Sequence, residues 1–218
     1  MSRPPQSQTF SIEGSSGRLE CILESPASAA LIAVAVVCHP HPHPVHGGTM
    51  QNKVVHTLSR VFSAQQMSAL RFNLRGVGES EGVFDDGEGE LDDVLSAVDF
   101  MRAQNPGSPI WLAGFSFGAA MAIRAADILD VAGLVSIAPA AFRFFDTKPV
   151  QPNCPWLIVH GKNDELADIN ETIEWVNSMR PGPELRIFPD TTHFFHGKLV
   201  DLREVVKTFI DKNQRGKL

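Results

Sequence analysis

Short apolar runs alternate with amphipathic stretches along most of the chain. Six segments have the pattern of strands: residues 31–38, 68–74, 108–113, 131–138, 155–160 and 184–189. Apolar residues at three- and four-residue spacing predict helices between or after them, over residues 50–62, 91–101 and 199–210. Continuous apolar strands that alternate with helices are typical of an α/β protein, in which helices cover both faces of a mostly parallel sheet.

The first part of the chain has a different pattern. Residues 9–13 and 18–24 alternate between apolar and polar positions around the segment GSSG, which predicts a β-hairpin. We therefore expect the sheet to begin with antiparallel strands. Residues 1–8 lack a pattern and are predicted to be a flexible tail. We expect residues 9–218 to form one domain, the usual outcome for a chain of this length.

Composition indicates a folded, cytoplasmic protein with no membrane partner. Hydrophobic residues make up 43% of the chain and charged residues 20%, which excludes a disordered chain. The longest apolar run, residues 31–38, is too short to cross a bilayer, and no apolar stretch follows Arg3 to act as a secretory signal. Cys21, Cys38 and Cys154 are widely spaced, so we expect buried thiols rather than disulfides or a metal site.

The net charge of −6 comes largely from one acidic stretch, residues 81–93, which holds seven acidic residues and no basic one. We expect this stretch to cover the N-terminal turn of a helix over residues 88–104, where carboxylates interact favourably with the helix dipole. Its spacing does not fit a calcium-binding loop. No Lys/Arg-rich stretch occurs, so nucleic acid is not an expected partner.

A serine lies between the strand predicted over residues 108–113 and an alanine-rich helix predicted over residues 116–128. Residues 114–118 read GFSFG, and a G-x-S-x-G motif between strand and helix is the context of a nucleophilic serine on a sharp turn. The glycines leave room for neighbouring backbone. The turn places Ser116 at the positive end of the helix, where the Phe117 N–H can stabilise an oxyanion. The alternative is that Ser116 only caps the helix.

A nucleophilic serine needs a general base, and the base needs an acid that holds its tautomer. Asp164 follows the strand predicted over residues 155–160, and His193 follows the strand predicted over residues 184–189. Both residues should therefore lie at the same edge of the sheet as Ser116. The order Ser, Asp, His along the chain is that of the α/β-hydrolases. We predict that these three residues form a catalytic triad.

Other residues are alternatives for two of these roles. Asp168 lies close behind the predicted acid, but we expect it to start or cap the following helix. Asp190 is expected to be a turn residue. His196 is an alternative to His193 as the base, although it would project from a different direction, where the last helix begins.

A loop rich in histidine and proline, residues 39–48, follows the first buried strand. Loops at this position supply the second N–H of an oxyanion hole. Proline has no N–H, which leaves His39, His41 and His43 as donors in the first six residues. Such loops usually place the donor two residues past the first histidine, which favours His41, with His43 as the alternative.

We predict neither a metal ion nor another cofactor. The four histidines of the loop, including His46, suggest a metal site, but the loop has no nearby cysteine and no HExxH helix. The glycines of residues 75–82 do not have the spacing of a dinucleotide-binding loop, and the acidic residues that follow would repel a pyrophosphate.

Five motifs together resemble the small serine α/β-hydrolases without a lid, which are carboxylesterase-like and related to the dienelactone hydrolases. The motifs are HPHPVHGGTMQNKVV, RFNLRGVGES, GFSFGAA, HGKNDE and THFFHG. The resemblance covers nearly the whole chain and implies the α/β-hydrolase fold, with an eight-stranded sheet in the order 1-2-4-3-5-6-7-8. Dienelactone hydrolases have a cysteine where this chain has Ser116, so their substrate is not carried over.

We therefore expect an esterase that hydrolyses short-chain carboxylic esters, thioesters or related small acyl compounds through an acyl-enzyme on Ser116. Too few residues separate the strands predicted over 131–138 and 155–160 for a lid, so we expect an open pocket. Its expected border consists of phenylalanines, namely Phe142, Phe144, Phe145, Phe194 and Phe195. The alternatives are a non-catalytic protein that binds a small ligand and a metalloenzyme built on the histidine loop. A monomer or a homodimer is expected.

Overall fold

The structure is a computed structural model that describes residues 6–26, 33–39, 48–140 and 151–214. The strands in these ranges are β1 (Gln6–Gly14), β2 (Gly17–Ser25), β3 (Ala33–Cys38), β4 (Met67–Phe72), β5 (Ile110–Phe115), β6 (Gly133–Ile137), β7 (Trp156–Gly161) and β8 (Glu184–Phe188). The helices are α1 (Lys53–Ala64), α2 (Glu88–Gln104), α3 (Phe117–Ile128), α4 (Ile169–Ser178) and α5 (Leu199–Gln214). None of these helices is both long enough and apolar enough to cross a membrane.

The strands form one sheet in the order β1-β2-β4-β3-β5-β6-β7-β8. β2 pairs with β1 and β4 in antiparallel fashion, and the other neighbours are parallel. This arrangement confirms the mostly parallel sheet and the strand order that the resemblance implied. The loops that follow β3, β5, β7 and β8 all leave the sheet at the same edge, because the carboxyl ends of parallel strands meet there.

Helices cover both faces of the sheet. Apolar residues of α2, α3 and α4 pack on one face, and those of α1 and α5 pack on the other. Within β3, Val34 and Val36 belong to the first core cluster, whereas Ala35 and Val37 belong to the second. Successive side chains of a strand point to opposite faces, so burial on both faces requires the continuous apolar runs seen in the sequence.

The first strand is longer than the sequence predicts. β1 begins at Gln6, and residues 6–8 pair with residues 23–25 of β2. The prediction of a flexible tail over residues 1–8 is therefore wrong for residues 6–8, while residues 1–5 lie outside the described ranges. The side chains of residues 6–8 are exposed, so no apolar pattern marks them, and the backbone hydrogen bonds of a strand pair do not depend on side chains.

The acidic stretch is only partly a surface feature. Glu88 and Glu90 lie in the first turn of α2, as predicted. Glu90 is nevertheless fully buried, and its carboxylate accepts the backbone N–H of Gly87 at 2.8 Å. Asp93 is also fully buried, where it forms an ion pair with Arg75 at 2.8 Å. Part of the stretch therefore belongs to the interior of the protein.

None of the three cysteines forms a disulfide, and all three lie in the described ranges. Burial raises the pKa of Cys21 to about 12 and raises the pKa of Cys38 as well. Cys154 is only half-buried. The prediction of buried thiols is therefore confirmed for two cysteines and wrong for the third.

Candidate active site

Ser116 lies on the sharp turn between β5 and α3. Its backbone has φ 56° and ψ −118°, a strained conformation for a residue with a side chain. Its N–H donates to the carbonyl of Ile137 at 2.9 Å, and its own carbonyl accepts the N–H of Ala119 at 3.0 Å. These bonds fix Ser116 at the carboxyl edge of the sheet, between β6 and the first turn of α3.

Close packing explains the two glycines of the motif. A Cβ atom at position 114 would meet the backbone of Gly118 and Ala119. A Cβ atom at position 118 would meet the carbonyl of His39 in the loop after β3. Neither glycine has a positive φ, so space rather than backbone conformation restricts both positions. The steric interpretation of the G-x-S-x-G motif is confirmed.

The Ser116 side chain does not cap α3. Ser116 occupies the N-cap position of the helix, yet its hydroxyl makes no capping hydrogen bond. The interpretation of this serine as a mere helix cap is therefore wrong. The strained turn and the close contacts are made without the hydroxyl.

The loops after β7 and β8 bring Asp164 and His193 together. Nδ1 of His193 lies 2.8 Å from Oδ2 and 3.0 Å from Oδ1 of Asp164. An ionised carboxylate only accepts hydrogen bonds, so Nδ1 carries the hydrogen. The neutral imidazole then has its lone pair on Nε2, and this is the tautomer that a general base needs.

The Phe115 ring packs against the His193 imidazole and so places His193 close to the turn that carries Ser116. Its ring centroid lies 4.9 Å from that of the His193 imidazole, and Ser116 is the next residue along the chain. Ala138, which follows β6, donates its N–H to the carbonyl of Val159 in β7 at 2.8 Å, so neighbouring strand ends are joined. The structure thus places the three predicted residues at one edge of the sheet, with His193 packed beside the residue that precedes Ser116.

The Asp164 carboxylate is buried and accepts several hydrogen bonds. Its Oδ1 accepts the N–H groups of Leu166 at 2.9 Å and Ala167 at 2.8 Å. Burial by itself raises the pKa of a carboxyl group. Hydrogen bonds from His160, His193 and the Ala167 amide outweigh this effect and hold the pKa of Asp164 well below its usual range. The group is therefore ionised at neutral pH.

His160, near the end of β7, is a contact of Asp164 that sequence reasoning missed. Its side chain is fully buried, and Nε2 lies 3.3 Å from Oδ2 of Asp164 and 3.1 Å from the carbonyl oxygen of Ala167. Asp164 thus contacts two imidazoles. The available signal was the polar residue in an otherwise apolar strand, because a buried polar side chain needs a hydrogen-bond partner.

The structure places the alternative residues elsewhere. Asp168 caps α4, and its Oδ1 accepts the N–H of Asn170 at 2.8 Å. Asp190 is exposed in the turn after β8 and has φ 49°. Nδ1 of His196 lies 2.7 Å from Nζ of Lys53, on the exposed side of the loop. The predictions that Asp168 caps a helix and that Asp190 lies in a turn are confirmed.

The loop after β3 is described only at its two ends. His39 is fully buried, and its Nε2 accepts the N–H of Leu74 at 2.9 Å, so this nitrogen is not available as a metal ligand. His41, the predicted oxyanion donor, lies outside the described residues, as do His43 and His46. Within the described ranges, no group of three or more histidine, cysteine, aspartate or glutamate side chains is arranged so that it could hold a metal ion.

Two of the phenylalanines predicted to border the pocket are described. Phe194 is half-buried, and its ring centroid lies 5.2 Å from that of His193. Phe195 is fully buried and packs on Phe188, with ring centroids 5.7 Å apart, so its prediction as a pocket residue is wrong. The two adjacent side chains have different surroundings, which the composition of the segment does not indicate. The other three lie outside the described ranges: Phe142, Phe144 and Phe145.

Comparisons with known proteins agree with this architecture. A family model described as serine aminopeptidase S33 matches residues 43–143. XC6422 from Xanthomonas campestris, described as an α/β serine hydrolase without a lid, is 37% identical with a TM-score of 0.88, over 97% of each chain.

Two further solved structures are similar over most of their length. An α/β serine hydrolase homologue from Coxiella burnetii is 38% identical with a TM-score of 0.86, over 92% of this chain and 96% of that one. ATU1826 from Agrobacterium tumefaciens, a protein of unknown function, is 32% identical with a TM-score of 0.89, over 97% of this chain and 98% of that one.

Proposed function

Because the chain belongs to the α/β serine hydrolases without a lid, we propose that Ser116, His193 and Asp164 are its catalytic triad and that it hydrolyses short-chain carboxylic esters or related acyl compounds. The hydrogen bond between His193 and Asp164 carries the proposal, since it sets the tautomer of a general base. The strained turn at Ser116 is the second support, because its hydroxyl has no part in capping α3.

In the proposed reaction, the Ser116 Oγ attacks the acyl carbon while Nε2 of His193 accepts the hydroxyl proton. The tetrahedral intermediate breaks its bond to the leaving group, which takes the proton from the imidazolium. An ester is left on Ser116. A water molecule then attacks this acyl-enzyme with the same imidazole as base, which releases the acid and restores the hydroxyl. The ionised Asp164 stabilises the imidazolium in both steps.

Two backbone N–H groups are proposed to stabilise the oxyanion. Phe117 is the first residue of α3, where the helix dipole favours negative charge. The second donor is His41, which rests on the proline spacing of the loop and on the resemblance to the family. One oxyanion donor typically contributes about 3 kcal/mol to transition-state stabilisation.

A small acyl substrate is supported by the short connection between β6 and β7. Only residues 138–155 join these strands, too few for a lid domain. The Phe194 ring beside His193 offers an apolar surface for an acyl group near the reacting atoms. We further propose a cytoplasmic enzyme, a monomer or a homodimer, that needs no cofactor and has no nucleic-acid or membrane partner.

Fluorophosphonate labelling followed by peptide mass mapping tests the nucleophile directly, since the reagent reports activation and position together. We expect one label, on the peptide that contains Ser116. The Ser116→Ala variant should lose the label and about 10⁴-fold or more of p-nitrophenyl acetate turnover, as triad deletions do. Ser96→Ala, at a half-buried serine of α2, is the control and should retain both. Activity that survives Ser116→Ala but is lost with a chelator would favour a metalloenzyme. A folded chain with neither label nor turnover would favour the ligand-binding alternative.

A further inference from the structure

We propose that His160 is a positioning residue whose imidazole fixes the Asp164 carboxylate in the orientation that holds His193. The inference rests on the proposed triad. No contact between His160 and the turn that carries Ser116 occurs among the described residues. His160 lies in β7 and contacts Asp164 from there.

The hydrogen on His160 is assigned by its neighbours. Both groups near Nε2 are oxygen acceptors, Oδ2 of Asp164 at 3.3 Å and the carbonyl of Ala167 at 3.1 Å. Nε2 must therefore carry a hydrogen, which it donates to the Ala167 carbonyl and which also attracts the neighbouring Asp164 carboxylate. Ala167 also donates its own N–H to Oδ1 of Asp164 at 2.8 Å, so the ring, the carboxylate and the loop backbone hold one another.

The environment of the other ring nitrogen, Nδ1, argues against a purely structural role for His160. Nδ1 of His160 is buried and has no hydrogen-bond partner among the residues that the structure describes. A buried polar atom without a partner destabilises a protein, whereas an apolar side chain of similar volume would not have this cost. The position lies between the fully buried Val159 and Gly161 in an otherwise apolar strand. What a histidine provides at this position, and an apolar side chain would not, is the contact of Nε2 with Asp164.

Removal of this contact would leave the carboxylate less constrained. Oδ1 accepts the amides of Leu166 and Ala167, while the contacts of Oδ2 within the described ranges are His160 and His193. The last torsion of an aspartate side chain is broad, so hydrogen bonds rather than torsional preference fix the plane of the carboxylate. His160 supplies the constraint on the Oδ2 side, and His193 is aligned with it.

The test compares His160→Leu with His160→Gln. Leucine fills the volume without a donor, whereas the amide nitrogen of glutamine reaches the position of Nε2 and donates. We expect the leucine variant to lose about 10- to 100-fold in kcat with little change in KM, a loss like that seen when the hydrogen-bond partner that orients a metal-ligating side chain is removed. The glutamine variant should recover most of kcat. His160→Met serves as a second donor-free variant if leucine prevents folding.

The pH profile separates positioning from packing. Without the His160 N–H, more of the carboxylate charge acts on His193, and this favours the protonated imidazole. The acid limb of kcat/KM should therefore move to higher pH by about half a unit in the leucine variant and return towards wild type in the glutamine variant. The Glu165 carboxylate, which accepts the His193 backbone N–H at 3.1 Å, is a second negative charge near His193. It is present in both variants, so it does not contribute to the difference between them.

A readout without turnover distinguishes this inference from the proposed function. NMR titration of the His193 imidazole in Ser116→Ala, with and without His160→Leu, should show the same upward shift of the midpoint. Equal losses in the glutamine and leucine variants, or identical titration midpoints, would overturn the role of His160. If Ser116→Ala retained full ester turnover, the proposed function would fail, while the titration would still decide the inference on His160.

Discussion

Arg75 holds the buried Asp93 carboxylate with both its backbone and its side chain. Its backbone N–H donates to Oδ2 at 2.9 Å, and its Nη2 lies 2.8 Å from Oδ1. The same Nη2 donates to the hydroxyl of Ser15 in the β1–β2 turn at 2.8 Å. Hydrogen bonds to Asp93 raise the pKa of Arg75 despite its burial. One acid of the 81–93 stretch therefore joins α2 to the loop after β4 and to the first hairpin.

We predict that Asp93→Asn lowers the free energy of unfolding by about 3 kcal/mol or more, because it leaves a buried guanidinium without its counter-charge. Urea unfolding followed by circular dichroism measures the loss. Asp92→Asn is the matched control, since Asp92 is exposed on the same helix and should change stability by less than about 0.5 kcal/mol. Equal effects of the two substitutions would show that the ion pair does not stabilise the fold.

Asp164→Asn should lower kcat by about 10⁴-fold, because an amide in place of the carboxylate favours the wrong tautomer of His193. Asp168→Asn should retain activity within a few-fold, since Asp168 caps α4 and does not contact His193. Initial rates with p-nitrophenyl acetate under saturation compare the two. A large loss of kcat in Asp168→Asn with none in Asp164→Asn would show that Asp168, and not Asp164, is the acid of the triad.

The stabilising effect of Asp164 should disappear in acid. Its pKa is lower in the folded protein than the ordinary value, so its ionised form stabilises the fold above about pH 4, and this contribution is lost as the pH falls towards the folded-state pKa. We expect the stability difference between wild type and Asp164→Asn to narrow below about pH 4. Urea unfolding at a series of pH values measures it, and a difference that widens in acid would contradict the assignment.

Backbone strain at Ser116 should appear as a stability cost. Glycine adopts a positive φ without strain, whereas alanine does not, so Ser116→Gly should be more stable than Ser116→Ala by about 1 kcal/mol. Thermal unfolding of the two Ser116 variants makes the comparison. A serine-to-glycine change within α2, Ser96→Gly, should instead be less stable than Ser96→Ala by about 1 kcal/mol. The same sign at both positions would argue against strain at the turn.

Thiol reactivity should follow burial. We expect a disulfide reagent at about pH 8 to modify one thiol of the native protein readily, Cys154, because burial raises the pKa of the other two and excludes the reagent. Denaturant should expose all three. Cys154→Ser should abolish the rapid reaction, and a rapid reaction that survives this change would show that Cys21 or Cys38 is accessible.

Burial on both faces made the central strands predictable from the sequence. Val34 and Val36 face one core and Ala35 and Val37 the other, so the strand needs apolar residues throughout. The sharp turn between β5 and α3 was also predictable, because its close contacts require the glycines of the G-x-S-x-G motif. The exchange of β3 and β4 in the sheet had no such local signal and came from the resemblance to a family.

These polar contacts were not predicted, because the pattern of hydrophobic and polar residues does not indicate which side chains meet. Arg75 meets Asp93 across a loop, and His160 meets Asp164 through the turn after β7. Asp93 lies in an acidic stretch that was predicted to be on the surface, and His160 lies in a strand that was predicted from its apolar residues. The site was predicted through the order of its residues, while the interactions that hold it required coordinates.

The hydrogen bonds that shape the turn at Ser116 come from backbone atoms, and the fit of α3 against β3 comes from glycines. The shape of this turn therefore does not depend on the Ser116 hydroxyl. Under the proposed function, a thiol or a carboxylate could therefore replace this hydroxyl while the contacts that shape the turn are kept, and the same scaffold would suit a different covalent chemistry.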